Sequence, residues 1–268
     1  MNMAESQPTA EFYRDTLDIL DARKIPVLVG GAFAQKYFTG VSRDTKDLDL
    51  FILGSDLQRA FEALNRAGYR TEETFAHWLG KAFDKDGVDF VDIIFNSGNG
   101  LCKVDPTWFD YAPAGEAFGR AVRFCPVEES IWQKAFILER ERYDGADIAH
   151  LLRAQSEKLD WPRLLRRFGE HWRVLFSCVT LFGYIYPSER SKIPDWVQRY
   201  LVGLFADEIG QNVPGERICA GTLLSRAQFL VDIHEWGYRD VRAPELMSAT
   251  ELREWTAAAE PLAETSKP

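Results

Sequence analysis

The sequence predicts an α+β fold: a mixed β-sheet flanked by helices over residues 1–125, then a helical domain over residues 126–268. Three observations predict it. Short apolar runs bounded by turn residues recur up to Cys125, the pattern of strands. From Glu128 onward the apolar residues fall at helical spacing, beginning with Ile131, Ala135 and Leu138. Pro126 stands where one pattern gives way to the other. The chain has 268 residues and is 46% hydrophobic, enough for one large core or two modest ones.

Residues 1–9 read as a loose tail. Residues 10–23 place Tyr13, Leu17 and Leu20 at helical spacing, a helix that packs on the sheet. The run 25–29 is short and rich in β-branched residues, with Pro26 near its start and Gly30-Gly31 at its end, so it predicts a buried strand. Gly30-Gly31 lets the backbone turn sharply and approach a ligand with no Cβ in the way. A short amphipathic segment follows over 32–38, then a polar loop, then a second apolar run over 47–53. Ser55 and Gln58 form a capping-box pattern ahead of a helix that carries Leu57, Phe61 and Leu64 and stops near Gly68. Residues 69–78 read as a strand with an irregular end. Residues 81–83, a turn over 84–87 and residues 88–95 read as a β-hairpin.

Residues 96–119 are rich in Gly, Pro and Asn and read as a loop, whose Trp108 and Tyr111 fill its own small core. A last strand is expected over 121–125. In the helical half, Asp160-Trp161-Pro162 starts a helix with an Asp cap and a first-turn proline. Further helices are expected over 171–186, 194–209, 222–234 and 249–259. Arg163, Arg166, Arg167 and Arg173 form a basic cluster that reads as a solvated helix face, with the phosphates of an RNA as the alternative partner.

Residues two apart in a strand share a face, so Asp47 and Asp49 project together while Leu48 and Leu50 point the other way. Two carboxylates on one face repel unless a cation sits between them, and Mg²⁺ or Mn²⁺ takes such oxygen ligands. The amides that open the segment after Gly31 can meet a phosphate. Asp89 and Asp92, an odd number of positions apart in the hairpin, point to opposite faces, so one of them can join the pair. Asp92 is the better candidate, because it sits among apolar residues where an unpaired charge is costly.

Gly30-Gly31 followed by Arg43-x-Thr45-x-Asp47-Leu48-Asp49 at the head of a strand resembles the nucleotidyltransferase fold of the DNA polymerase β-like superfamily. The likeness is to small bacterial members, including abortive-infection toxins and antibiotic-modifying enzymes. It is specific over residues 25–53, extends loosely to about residue 150 and is silent beyond. One departure is the 16 positions from Gly31 to Asp47, near the long end for the fold, which leaves the loop 39–46 room for a role of its own.

The resemblance implies transfer of a nucleoside monophosphate from an NTP to an acceptor hydroxyl, with release of pyrophosphate. It implies that Asp47, Asp49 and Asp92 hold two metal ions about 4 Å apart, with Asp92 also accepting the hydroxyl proton. It implies that Gly30 and Gly31 hold the donor phosphates, that Thr45 belongs to the binding motif, and that Arg43 and Lys134 neutralise charge as the bond breaks. Lys134, Arg140, Asp144 and Asp147 loosely match a lysine, an arginine and an acidic run found in the family. An interdomain ion-pair network is the other reading of these residues.

Three other readings use the same letters. A haloacid-dehalogenase-like phosphatase carries D-x-D after a strand, whereas here the pair opens one. A metal-dependent glycosyltransferase places D-x-D after an apolar strand, whereas residues 39–46 are polar. A non-catalytic nucleotide-binding module, or a toxin–antitoxin-type partner, would keep the fold without the chemistry.

The net charge of −9 argues against broad charge-driven nucleic-acid binding and favours a small or cationic acceptor. The arginine cluster favours RNA, and a protein side chain fits the same core, so the sequence leaves the acceptor open among an RNA end, a protein and a small molecule. Cys102, Cys125, Cys178 and Cys219 are far apart with no C-x-x-C pair, which fits a reducing cytoplasm. No signal peptide and no membrane span are expected.

Overall fold

The computed structural model describes residues 7–43, 45, 47–212 and 215–257. The chain divides into two compact units, Met1–Pro126 and Val127–Pro268.

In the first unit, α1 (Gln7–Ala22) leads to the short β1 (Leu28–Val29), α2 (Gly31–Thr39) and β2 (Asp47–Phe51). A 3₁₀ turn then precedes α3 (Leu57–Arg66), followed by β3 (Arg70–Phe75), β4 (Leu79–Phe83) and β5 (Phe90–Ile94). The unit ends with α4 (Pro106–Asp110), β6 (Ala114–Ala117) and β7 (Arg120–Arg123). The main sheet runs β1-β2-β5-β4-β3. It is mixed, because β2 pairs parallel with β5 while the other neighbours are antiparallel.

One face of this sheet is apolar by alternation. Leu48, Leu50, Val91, Ile93 and Ala82 have no exposure and join Tyr13, Leu17 and Leu20 of α1 and Leu57, Phe61 and Leu64 of α3 in one core. Each large side chain so buried contributes about 1.5–3 kcal/mol. The pleat that buries these residues necessarily sends Asp47, Asp49 and Asp92 to the opposite face.

Four local expectations are corrected. The Ser55/Gln58 capping box does not form: the 3₁₀ turn and α3 have no side-chain cap, and Gln58 reaches Glu73 instead. The hairpin loop is longer than the turn over 84–87, because Asp84 N donates to Asp89 O and β5 starts only at Phe90, leaving Val88 77% exposed. Residues 96–119 are not all loop. Asp105 caps α4 by accepting from Thr107 N, and β6 pairs with β7. Trp108 of α4 is fully buried with its ring 5.4 Å from that of Phe51, while Tyr111 is exposed.

The second unit holds α5 (Val127–Ala135), α6 (Gly145–Gln155), α7 (Trp161–Phe168), α8 (Trp172–Ile185) and α9 (Asp195–Ile209). A two-residue parallel pair, β8 (Ile218–Cys219) with β9 (Arg239–Asp240), brackets the short α10 (Leu230–His234), and α11 (Ala249–Ala257) follows. Asp160 caps α7 through Arg163 N, with Pro162 in the first turn. The helix expected over 222–234 is broken, because Ser225 Oγ accepts from Gln228 N and donates to Glu139, so the local side chain competes with the helical ladder.

Two of the three arginines of α7, Arg163 and Arg167, are not solvated. Arg163 is buried, with Nη1 2.6 Å from both oxygens of the fully buried Glu129, and it also pairs with Glu128. Arg167 binds Glu129 at 2.9 Å, and Arg173 of α8 binds Glu208 at 2.6 Å. Among the described residues, Arg166 alone of the four is exposed without an ion pair. Buried carboxylates on α5 convert this helix face from a surface into a packed charge network.

Candidate active site

The site is built by strand register. β2 runs parallel to β5 with Asp49 opposite Asp92 and Asp47 opposite Phe90. Asp49 and Asp92 are therefore direct cross-strand neighbours, and Asp47 lies one pleat away on the same face. One oxygen from each of the three carboxylates lies within 4.8 Å of the others. All three side chains are half-buried.

Asp92, not Asp89, meets the pair. Asp89 sits in the loop before β5, where it accepts a 2.7 Å hydrogen bond from Thr9. Burial raises the Asp92 carboxyl above the ordinary range. Lys81, with Nζ 2.5 Å from Oδ1, pulls against that rise, and the charge of Asp47 adds to it.

The glycine turn lies against this group. Gly30 N donates to Asp49 O at 2.9 Å, tying the end of β1 to the middle of β2. Gly31 has φ +52° and opens α2. A Cβ on Gly31 would stand 1.7 Å from Asp49 Oδ2, and one on Gly30 would stand 2.1 Å from the Phe51 ring. Glycine at both positions is thus a packing requirement, and it lets the Asp49 carboxylate lie at the positive end of α2.

The Thr45 hydroxyl lies 2.7 Å from Asp47 Oδ1 and 3.1 Å from its carbonyl oxygen, so it orients that carboxylate. Arg43 is exposed on the loop that leads into β2. Asp44 and Lys46 of the loop 39–46 lie outside the described residues.

Lys134 lies in the second unit, on α5. Its Nζ binds Asp147 at 2.6 Å and Asp144 at 3.2 Å, and all three side chains are nearly buried. Arg142 also binds Asp144, at 3.1 Å. Burial opposes the charged form of Asp144, but Arg142 and Lys134 outweigh it and hold the carboxyl below the usual carboxylate range. A carboxyl whose folded pKa lies below its unfolded value stabilises the fold at every pH above the unfolded value. It loses that contribution as pH falls through the folded value. Asp144→Asn is therefore expected to cost about 1–3 kcal/mol at pH 7. Urea unfolding at a series of pH values should show this difference shrinking below about pH 4, the unfolded carboxyl value. A difference that grows on acidification would contradict the charge pairing.

Sequence reasoning missed Lys81. The signal was present as a lysine in the strand before Asp92, but it became legible only once the hairpin register placed the two opposite each other.

An oxygen-only set of three carboxylates suits a hard divalent cation such as Mg²⁺ or Mn²⁺ and offers nothing to a soft one. The residues present fit that group.

The sequence profile of a family described as an uncharacterised nucleotidyltransferase matches residues 13–174. The chain belongs to this nucleotidyltransferase family. The match spans the glycine turn, all three carboxylates, Lys81 and Lys134, and extends into α8. No curated protein matches the chain. Among solved structures, the antibiotic-resistance factor ANT(2'')-Ia is 21% identical, with 77% of this chain and 100% of that chain covered at TM-score 0.37. The lincomycin-bound lincosamide antibiotic adenylyltransferase LnuA is 16% identical, covering 56% and 98% at TM-score 0.39. JHP933 from Helicobacter pylori is 12% identical, covering 98% and 100% at TM-score 0.35. At these TM-scores the likenesses add nothing to the family assignment. In this nucleotidyltransferase no helix among the described residues is long and apolar enough to cross a membrane.

Proposed function

We propose that this nucleotidyltransferase moves a nucleoside monophosphate from an NTP to an acceptor hydroxyl, releasing pyrophosphate, with Asp47, Asp49 and Asp92 holding a divalent cation. The observation that carries the reading is the convergence of three carboxylate oxygens within 4.8 Å beside the glycine turn. Three carboxylates gathered on one sheet face repel one another, and a divalent cation between them relieves that repulsion.

When bound, the cation supplies charge neutralisation at the phosphates and acidifies the attacking hydroxyl. The chain's own residues do the rest. Thr45 fixes one oxygen of Asp47. The backbone amides at Gly30-Gly31 and in the first turn of α2 receive the donor phosphates, because they stand at the positive end of that helix. The acceptor oxygen bonds to the α-phosphorus as the bond to pyrophosphate breaks, and its proton passes to the Asp92 carboxylate.

The net charge of −9 and the acidic site support a small or cationic acceptor. Arg163 and Arg167, two of the four arginines that would favour RNA, are held by the buried Glu129, which weakens the argument for that class. The absence of a disulfide among the four cysteines of the described residues fits a cytoplasmic setting.

The test is incubation with each α-³²P-labelled NTP and Mg²⁺ in the presence of an aminoglycoside panel, total RNA or the protein alone. Label moving to a small cationic acceptor supports the full reading, and label on RNA corrects the acceptor class. No transfer, together with no Mg²⁺-dependent NTP binding, overturns it.

A further inference from the structure

The sheet places one cation in line with the carboxylates. Lys81 of β4 stands opposite Asp92 of β5, which stands opposite Asp49 of β2, so the three form a row across adjacent strands. Lys81 Nζ is 2.5 Å from Asp92 Oδ1, and the two side chains are 21% and 15% exposed. The same ammonium sits 3.9 Å from the centre of the Phe90 ring, beside the strand position that faces Asp47. Glu72, its neighbour on β3, is turned to Arg70 instead. The lysine is therefore committed to one oxygen of the third carboxylate and is steadied by an aromatic face.

We infer that Lys81 is a positioning residue: it fixes Asp92 by one oxygen and acts as a resident counter-ion that limits the affinity of the nucleotide-free protein for divalent cations. This rests on the reading of Asp47, Asp49 and Asp92 as the groups that hold the cation. With Lys81 present, the three carboxylates and one ammonium carry two net negative charges, which a single divalent cation neutralises. Without it the group carries three.

Removing the lysine has two opposed effects on cation binding. Losing a positive charge a few ångströms away in a half-buried site strengthens binding by at least about tenfold. Freeing the Asp92 side chain to other rotamers weakens it by less than about fivefold. Charge wins, so the cation should bind more tightly to the variant. Transfer should nevertheless fall, because Asp92 is no longer held in place.

The experiment is a Mn²⁺ titration without nucleotide, following the free ion by electron paramagnetic resonance, on wild type, Lys81→Met, Lys81→Gln and Lys81→Arg. The neutral variants should bind Mn²⁺ more than about twofold more tightly than wild type, and Lys81→Arg about as tightly as wild type. At saturating Mn²⁺, kcat should fall in the neutral variants and recover in part in Lys81→Arg. Lys81→Gln keeps an N–H for Asp92 and preserves the test if the methionine variant does not fold. Equal or weaker Mn²⁺ binding in the folded neutral variants overturns the inference and leaves the site reading standing. Wild type that binds no more Mn²⁺ than Asp47→Asn/Asp49→Asn overturns both.

Discussion

Asp47→Asn combined with Asp49→Asn is expected to lower nucleotidyl transfer by at least about a thousandfold while leaving the fold intact. The substitutions are isosteric, and they lie on the face of β2 opposite the buried Leu48 and Leu50, so the core does not register them. Two of the three converging carboxylates lose their charge, and the site loses its capacity to hold a hard cation. The metal-free variant should be as stable as wild type or slightly more so, because like charges crowded on one face are relieved. Transfer of α-³²P label and urea unfolding, measured on the same preparations, separate the two effects. A folded double variant that retains activity would sink the site assignment.

Gly31→Ala is the second large effect. The backbone there has φ +52°, which costs an L-residue about 1–2 kcal/mol. The new Cβ would stand 1.7 Å from Asp49 Oδ2, so the carboxylate must move by more than an ångström. Misplacement of that size costs about a hundredfold in rate, so transfer should drop far more than the stability loss explains. Gly30→Ala is the control: its Cβ would meet the Phe51 ring, so the substitution loads the packing instead of the carboxylate. Wild-type transfer by folded Gly31→Ala would remove Gly31 from the site.

Much of the first unit was legible because its signals are local. Tyr13, Leu17 and Leu20 share one stripe of α1, and the alternation Asp47-Leu48-Asp49-Leu50 declares which face of β2 is wet. What failed were signals that depend on a partner. Ser55 and Gln58 have the letters of a capping box, but the chain enters α3 through a 3₁₀ turn and Gln58 finds Glu73 across space. Arg163 reads as surface because only the cap Asp160 accompanies it locally; its buried partners, Glu128 and Glu129, lie on α5. Lys81 was overlooked because a hairpin loop two residues longer at its far end shifts every cross-strand partner.

The sequence by itself determined which side chains share a face, because the strand period of two and the helical period are properties of the backbone. It therefore decided that Asp47 and Asp49 project together, and that glycine stands where the chain turns into α2. Only the tertiary structure decided which strand lies beside β2, and so which carboxylate completes the group and which lysine accompanies it. The parallel pairing of β2 with β5 joins segments distant in the chain, and its register is set by burying Leu48, Leu50, Val91 and Ile93 together. That packing puts Asp49 opposite Asp92, and Asp92 opposite Lys81, with no local signal that names either pair.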